Sequence, residues 1–273
     1  TPGPIDELAP VQTANDGSPL LGWDKDGVER AGLVKIDLLG NRSLAVVRDA
    51  LADLRDNGVA IDPFAWDPLN DGDTRRLLAR GDSIGVFYVE SPAMRQLQKK
   101  TGRGDFEHLV IHSSIIRPAA NRFIAEYVRR LKGKEYAPLH PRLDRILAET
   151  YGIMCYQEDV SKVAVALAGF SDADADGLRK ILTKKNREKR LAAYRERFYE
   201  GALGRGVEAA AIDEIWSMIR SFDGYSFCKA HSASYAMVSF QSAFLKAHHP
   251  AEFMAAVLSN GGGYYSSGAY ISE

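Results

Sequence analysis

Lys35 and Asp37 lie two residues apart inside the apolar run Leu33–Leu39. Strand alternation puts both on one face with Leu33 and Leu39, and turns Val34, Ile36 and Leu38 to the other. A carboxylate near the end of a strand, beside a lysine on the same face, suits a metal-and-phosphate site. The carboxylate would hold Mg²⁺ and the lysine would neutralise phosphate oxygens. An ion pair on an exposed strand edge is the alternative. Two-metal phosphoryl chemistry also needs several carboxylates within about 4 Å of the metals. The other aspartate groups, Asp24/Asp26, Asp71/Asp73 and Asp172/Asp174/Asp176, fall in turn-like or cap-like sequence, where Asp usually serves the backbone.

A second candidate is the basic run Leu178–Phe198. It holds nine basic residues (Arg179, Lys180, Lys184, Lys185, Arg187, Lys189, Arg190, Arg195 and Arg197) against Glu188 and Glu196, a local charge of +7 in a chain whose net charge is −1. Such asymmetry fits a helix pair that contacts triphosphate or backbone phosphates, or a solvated helix face.

A third is the turn from Gly224 to Tyr235, which feeds a helix. Small residues, Lys229 and His231 make it a candidate anion site, and Tyr235 could offer a flat face to a base. A plain helix start capped by Ser232 or Ser234 is the alternative. Cys228-x-x-His231 lacks two further zinc ligands at suitable spacing. Cys155 sits among apolar residues and reads as core. Lys132-Gly133-Lys134 is not a phosphate-binding loop, and no hydrolase or kinase signature occurs.

The elements that must position these residues are mostly helical. The strand Leu33–Leu39 ends at Gly40, and Ser43–Asn57 follows as a helix with Leu44, Val47, Leu51 and Leu54 on one stripe. Asp73–Arg80 is a short helix with Asp73 as N-cap and Gly81 past its end; Ile84–Val89 reads as a strand; Ser91-Pro92 starts another helix. Further helices are expected at Phe123–Leu131, Arg142–Glu149, Glu158–Ala168, Ala173–Leu182, Lys189–Tyr199, Glu208–Phe222, Ser234–Ala247 and Ala251–Leu258. The first 26 residues are rich in Pro, Gly, Asp and Asn, with turns at Pro2–Pro4 and Asn15–Pro19. The tail Asn260–Glu273 is rich in Gly, Ser and Tyr, and both ends read as cut.

Composition sets the outer limits. The 273 residues are 45% hydrophobic and 26% charged, which fits a globular chain with a sizeable core. The longest near-apolar stretch, Lys162–Phe170, is too short to span a bilayer, so no membrane association is expected. Two cysteines exclude a disulfide framework and fit a cytoplasmic protein. The first residues show no basic–apolar–small leader pattern, so export is not expected.

Five segments in order carry a resemblance. They are Ala31-Gly-Leu-Val-Lys-Ile-Asp-Leu-Leu-Gly40, Gly81-Asp-Ser-Ile-Gly-Val-Phe-Tyr-Val-Glu-Ser91, Glu149-Thr-Tyr-Gly-Ile-Met-Cys-Tyr-Gln-Glu158, Gly224-Tyr-Ser-Phe-Cys-Lys-Ala-His-Ser232 and Leu245-Lys-Ala-His-His-Pro-Ala-Glu-Phe-Met254. Together they resemble the bacterial DNA polymerase III alpha subunits, the C family of DNA polymerases, over essentially the whole chain.

The resemblance implies a mainly α fold with a small β component. Residues 1–42 would be the last part of a nucleotidyltransferase-like palm, and 43–273 a helical fingers domain. It implies that Asp37 is the third catalytic aspartate and a metal ligand, and that Lys35 faces the phosphates of the incoming nucleotide. Arg179, Lys180, Lys229 and His231 would contact the triphosphate, with Lys184, Lys185 and Arg187 near the nucleotide or template backbone. Two Mg²⁺ ions, primer–template DNA, a deoxynucleoside triphosphate, a sliding clamp and other replisome subunits would be the partners of the intact enzyme.

The family's Pro-Asp-x-Asp-x-Asp strand, which carries the first two catalytic aspartates, does not occur in this sequence. The phosphatase-like domain, thumb and clamp-binding region are also missing. The sequence therefore reads as a fragment, inactive alone. A helical nucleic-acid-binding or scaffolding module without chemistry of its own is the other reading. Ser113–Asn121 and Phe87–Ser91 depart from the common family wording, which leaves main replicase and paralogue both open.

Overall fold

A computed structural model describes residues 3–23, 25–33, 41–184, 188–222, 227–261 and 263–273. The chain is mainly helical, and the described residues contain one two-stranded sheet. It divides into two compact units, Thr1–Asn41 and Arg42–Glu273. No helix among the described residues is long and apolar enough to cross a membrane.

In the first unit, β1 (Val11–Thr13) pairs antiparallel with β2 (Pro19–Leu21), Val11 opposite Leu21. The Asn15–Pro19 turn forms as expected. Ala14 N–H donates to Ser18 O, Ser18 N–H donates to the Asp16 carboxylate, and Gly17 takes φ 84°. A short helix, α1 (Lys25–Arg30), follows. Residues 34–40, with the expected strand and with Lys35 and Asp37, lie outside the described residues.

The second unit opens with α2 (Arg42–Asp56), α3 (Gly72–Arg80), α4 (Pro92–Thr101), α5 (Phe106–Ile115), α6 (Asn121–Leu131) and α7 (Pro141–Asp144). It continues with α8 (Gln157–Val163), α9 (Asp172–Ile181), α10 (Glu188–Leu203), α11 (Ala209–Arg220), α12 (Lys229–His248), α13 (Pro250–Asn260) and α14 (Ser267–Ser272). The larger core joins α3–α6 with α8–α12 around Leu109, Tyr127, Leu167, Phe198 and Phe240. A smaller core packs α2 against α13 through Val46, Val47, Ala50, Leu54, Phe253 and Val257. That contact buries a face rotated from the expected stripe and leaves Leu44 half exposed.

Several local expectations are corrected. The N-cap of α3 is Asp71, whose carboxylate accepts Thr74 N–H at 2.7 Å; Asp73 sits in the first turn and pairs with Arg76. Gly81 ends that helix at φ 66°, and Ser91 caps α4, both as expected. Ile84–Val89 is not a strand: positive φ at Gly85 and Tyr88 folds it into turns, and Ser83 Oγ closes it onto Val89 O. Helix α5 escapes the periodicity because every residue from Leu109 to Ile115 is buried, so no polar face marks it.

Arg142–Glu149 is helical only to Asp144, followed by a 3₁₀ turn at Ala148–Thr150. The last part of Glu158–Ala168 widens into a π turn, Ala164–Ala168. Helix α12 begins at Lys229, five residues before the expected start: Cys228 Sγ accepts His231 N–H, while Ser232 is buried and takes a hydrogen bond from Ser114. The tail is not only loop. Tyr270 of α14 donates to the buried Glu90, which also accepts Gly85 N–H and Tyr264 N–H.

Candidate functional site

The first turn of α12 presents Lys229 and His231 to different surroundings. Lys229 Nζ lies 2.6 Å from Glu149 Oε2, and both side chains are half exposed. The same ammonium stands 5.3 Å from the Tyr156 ring centroid, and Lys229 N–H donates to Glu158 at 3.3 Å. Lys229, Glu149, Tyr151, Tyr156, Phe106 and His108 line a cavity of about 340 Å³. Aromatic walls with a few convergent charged groups are the usual make-up of a small-ligand site.

His231 belongs instead to an aromatic cluster. Its ring stacks on Phe227 with centroids 5.3 Å apart and planes nearly parallel, and lies 4.1 Å from Tyr235. Tyr235 also meets the ring of Tyr88 edge-on at 5.0 Å and Phe87 at 5.1 Å. The face that Tyr235 could offer to a base is thus engaged by protein rings. Tyr88 reaches this cluster from a backbone with φ 67°, an uncommon conformation for a bulky residue.

Arg179 and Lys180 converge on one carboxylate: each lies 2.7 Å from Asp176, at the (i, i+3) and (i, i+4) positions of α9. Arg197 pairs with Asp174 at 3.0 Å, and Arg195 lies 3.8 Å from Asp213. Aspartates outside the basic run therefore offset part of its charge. Asp174 N–H donates the cap bond to Ser171 Oγ at 3.1 Å, and its carboxylate accepts from the same hydroxyl at 2.8 Å, so Asp174 serves the helix end as well. Lys184 is exposed; Lys185 and Arg187 lie outside the described residues.

Helix α8 joins the two groups of cations. Gln157 N–H donates to Phe227 O at 3.1 Å, and Glu158 accepts from Lys229 N–H. Along its length α8 packs on α9, where Ser161 Oγ donates to Ala175 O.

Behind this surface sits Arg117, only 3% exposed. It donates to Met154 O at 3.1 Å, to Cys155 O at 3.5 Å and to Ser221 Oγ at 3.3 Å. Asp159 accepts Cys155 N–H and Tyr156 N–H, each at 2.9 Å. Burial lowers the Arg117 pKa to about 10 and raises that of Asp159 to about 6. Burial also pushes the Cys155 thiol up, in line with its reading as core.

The sequence singles out Lys229 and His231 as candidates but gives no role to Glu149, Glu158, Asp159 or Arg117. Glu149, Glu158 and Asp159 lie within or beside a quoted motif and Arg117 lies in Ser113–Asn121, yet nothing local ties Glu149 to a lysine 80 residues away. Among the described residues no group of three or more His, Cys, Asp or Glu side chains is placed to hold a metal.

The family model for the bacterial DNA polymerase III alpha subunit finger domain matches residues 43–206. The chain is 40% identical to a DNA polymerase III subunit alpha of Neisseria meningitidis (serogroup A) over 260 residues, 95% of this chain and 23% of that protein. It is 39% identical to an error-prone DNA polymerase of Symbiobacterium thermophilum over 259 residues, 94% of this chain and 23% of that one. A DNA polymerase III subunit alpha of Mycobacterium tuberculosis is 39% identical over 268 residues, 95% of this chain and 22% of the relative. The chain thus spans less than a quarter of the length of these relatives. Near-equal identity to proteins named DNA polymerase III subunit alpha and error-prone DNA polymerase does not separate the two kinds.

Proposed function

Because the chain belongs to the family of bacterial DNA polymerase III alpha subunit finger domains, we propose that it is the nucleotide-facing part of a DNA-directed DNA polymerase. Residues 1–42 are the end of the palm and 43–273 the fingers. The intact enzyme is cytoplasmic, extends a primer 3′-OH on template DNA with deoxynucleoside triphosphates, and works with a sliding clamp and other replisome subunits. The observation that carries this reading is the family match over residues 43–206, which includes Arg179 and Lys180.

Within this reading, Lys229 and His231 bind the triphosphate from α12, and Arg179 and Lys180 from α9. Lys35 neutralises phosphate charge. Lys184, Lys185 and Arg187 contact the nucleotide or template backbone. Lys229 borders a cavity with aromatic walls, and an ammonium there is matched to phosphate oxygens.

Asp37 offers the hard oxygen donor that Mg²⁺ prefers, and one carboxylate leaves further ligands to come from elsewhere. Two bound Mg²⁺ ions would supply activation of the primer hydroxyl and stabilisation of the pyrophosphate leaving group. The chain's own residues bind and orient the triphosphate for in-line attack.

The test is Asp37→Asn in the polymerase that carries this chain. Primer extension should fall below a few per cent of wild type while DNA binding persists. Retained extension would remove Asp37 from the metal site. In parallel, neutralising Lys184, Lys185 and Arg187 should flatten the salt dependence of primer–template binding; an unchanged slope would free that run from backbone contact.

A further inference from the structure

We infer that Glu149 is a specificity-determining residue of the nucleotide site: it occupies Lys229 when no polyphosphate is bound, and a ligand must displace it. The inference rests on the reading of Lys229 as a triphosphate contact. Glu149 comes from the 3₁₀ turn before Tyr151 and reaches Lys229 across 80 residues of sequence, at 2.6 Å. The two charges sit on the wall of the same 340 Å³ cavity. A carboxylate oxygen at that distance stands where a phosphate oxygen would stand, with the same donor and the same kind of bond.

The pair is also easy to break. Each side chain is 50% exposed, and exposed ion pairs contribute little to stability. Tyr156 supports the ammonium from below through its ring face, at 5.3 Å, so Lys229 keeps a second contact when Glu149 leaves. A singly charged anion gains little by replacing one carboxylate with another. A polyphosphate brings several charges and can reach further donors. Glu149 therefore biases the site toward multiply charged ligands.

The experiment is calorimetric titration of the 273-residue chain with inorganic tripolyphosphate. Glu149→Gln should tighten binding by about three- to fivefold, the scale of an exposed ion pair, and Glu149→Ala should do the same. The gain should vanish in a Lys229→Gln background. Glu107→Gln removes an equal charge from the same cavity wall and should have a much smaller effect.

Unchanged or weaker binding in both Glu149 variants, with Lys229→Gln still lowering affinity, would overturn the displacement idea and leave Lys229 as a phosphate contact. An equal gain in Glu107→Gln would also overturn it, by reducing the effect to general charge. Full affinity in Lys229→Gln, or no binding by any variant, would remove the assignment of Lys229 itself.

Discussion

The guanidinium carbon of Arg117 lies 3.6 Å from the centre of the Phe222 ring. Phe222 is the last described residue before the segment that leads to Lys229, and the same guanidinium holds Met154 and Cys155 on the other side. One buried cation thus fastens both chain segments that frame the first turn of α12. Ring-face attraction and three hydrogen bonds offset the cost of burying it.

Arg117→Lys should therefore not be conservative. A lysine cannot lie flat on Phe222 or serve two carbonyls and a hydroxyl from one planar fork. The expected loss is roughly 2–4 kcal/mol of folding stability, read from urea denaturation. A loss below about 0.5 kcal/mol, the range of an ordinary surface substitution, would mean the stack and its bonds contribute almost nothing.

Two buried groups should bend the pH profile in opposite directions. His112 is fully buried, and burial pushes its pKa from an ordinary 6.5 down to about 3, so it folds as a neutral ring. Its contribution is complete above 6.5 and is lost as pH falls toward 3. Asp159 is raised from 3.8 to about 6, chiefly by burial, so its contribution is complete below 3.8 and is lost as pH rises through 6. That loss is on the order of 3 kcal/mol. His112→Leu should remove the weakening on acidification. Asp159→Asn, whose amide oxygen can still accept the two backbone bonds, should remove the weakening between about pH 4 and 6. Denaturation midpoints across that range check both, and parallel profiles for wild type and variants would refute the assignment.

Gly201→Ala should destabilise, against the usual trend. In an open helix interior alanine gains about 1 kcal/mol over glycine. At Gly201 the added Cβ would fall 2.2 Å from Ala168 O, at the end of the π turn. Helix α10 would have to move off that carbonyl, and a loss of about 1–3 kcal/mol is expected. Thermal melting decides the sign, and a raised midpoint would show that α10 does not rest on this contact.

The two cysteines should separate cleanly with a thiol reagent. Cys155 is fully buried and its thiol is pushed up by burial, whereas Cys228 is partly exposed at the start of α12. One cysteine should react under native conditions and the second only in denaturant. Peptide mapping should place the fast adduct on Cys228; fast labelling of Cys155 would mean the core around it opens readily.

Much of the helical plan was legible because helix signals are local. Ser91-Pro92 starts a helix through its own hydroxyl and ring, and Gly81 ends one because glycine takes the left-handed turn without steric cost. The five ordered motifs carried the family for the same reason. The misses have a common cause. Leu109–Ile115 is buried on all sides, so its period is silent until neighbours surround it. Ile84–Val89 has strand-like residues, but two positive φ angles, held by Ser83 and Glu90, turn it.

Sequence alone determined which cations exist, where most of the helices run and which family the order of motifs belongs to, since all of these depend on residues close along the chain. Tertiary structure alone decided what each cation touches. Lys229 meets Glu149, His231 stacks on Phe227, and Arg117 holds Cys155 and Phe222. Arg179 and Lys180 share Asp176, four residues or fewer away, and only the α-helical turn brings that carboxylate to both. Coulomb attraction and hydrogen bonds act over a few ångströms. Partners far apart in sequence become partners only when packing of apolar faces brings their elements together.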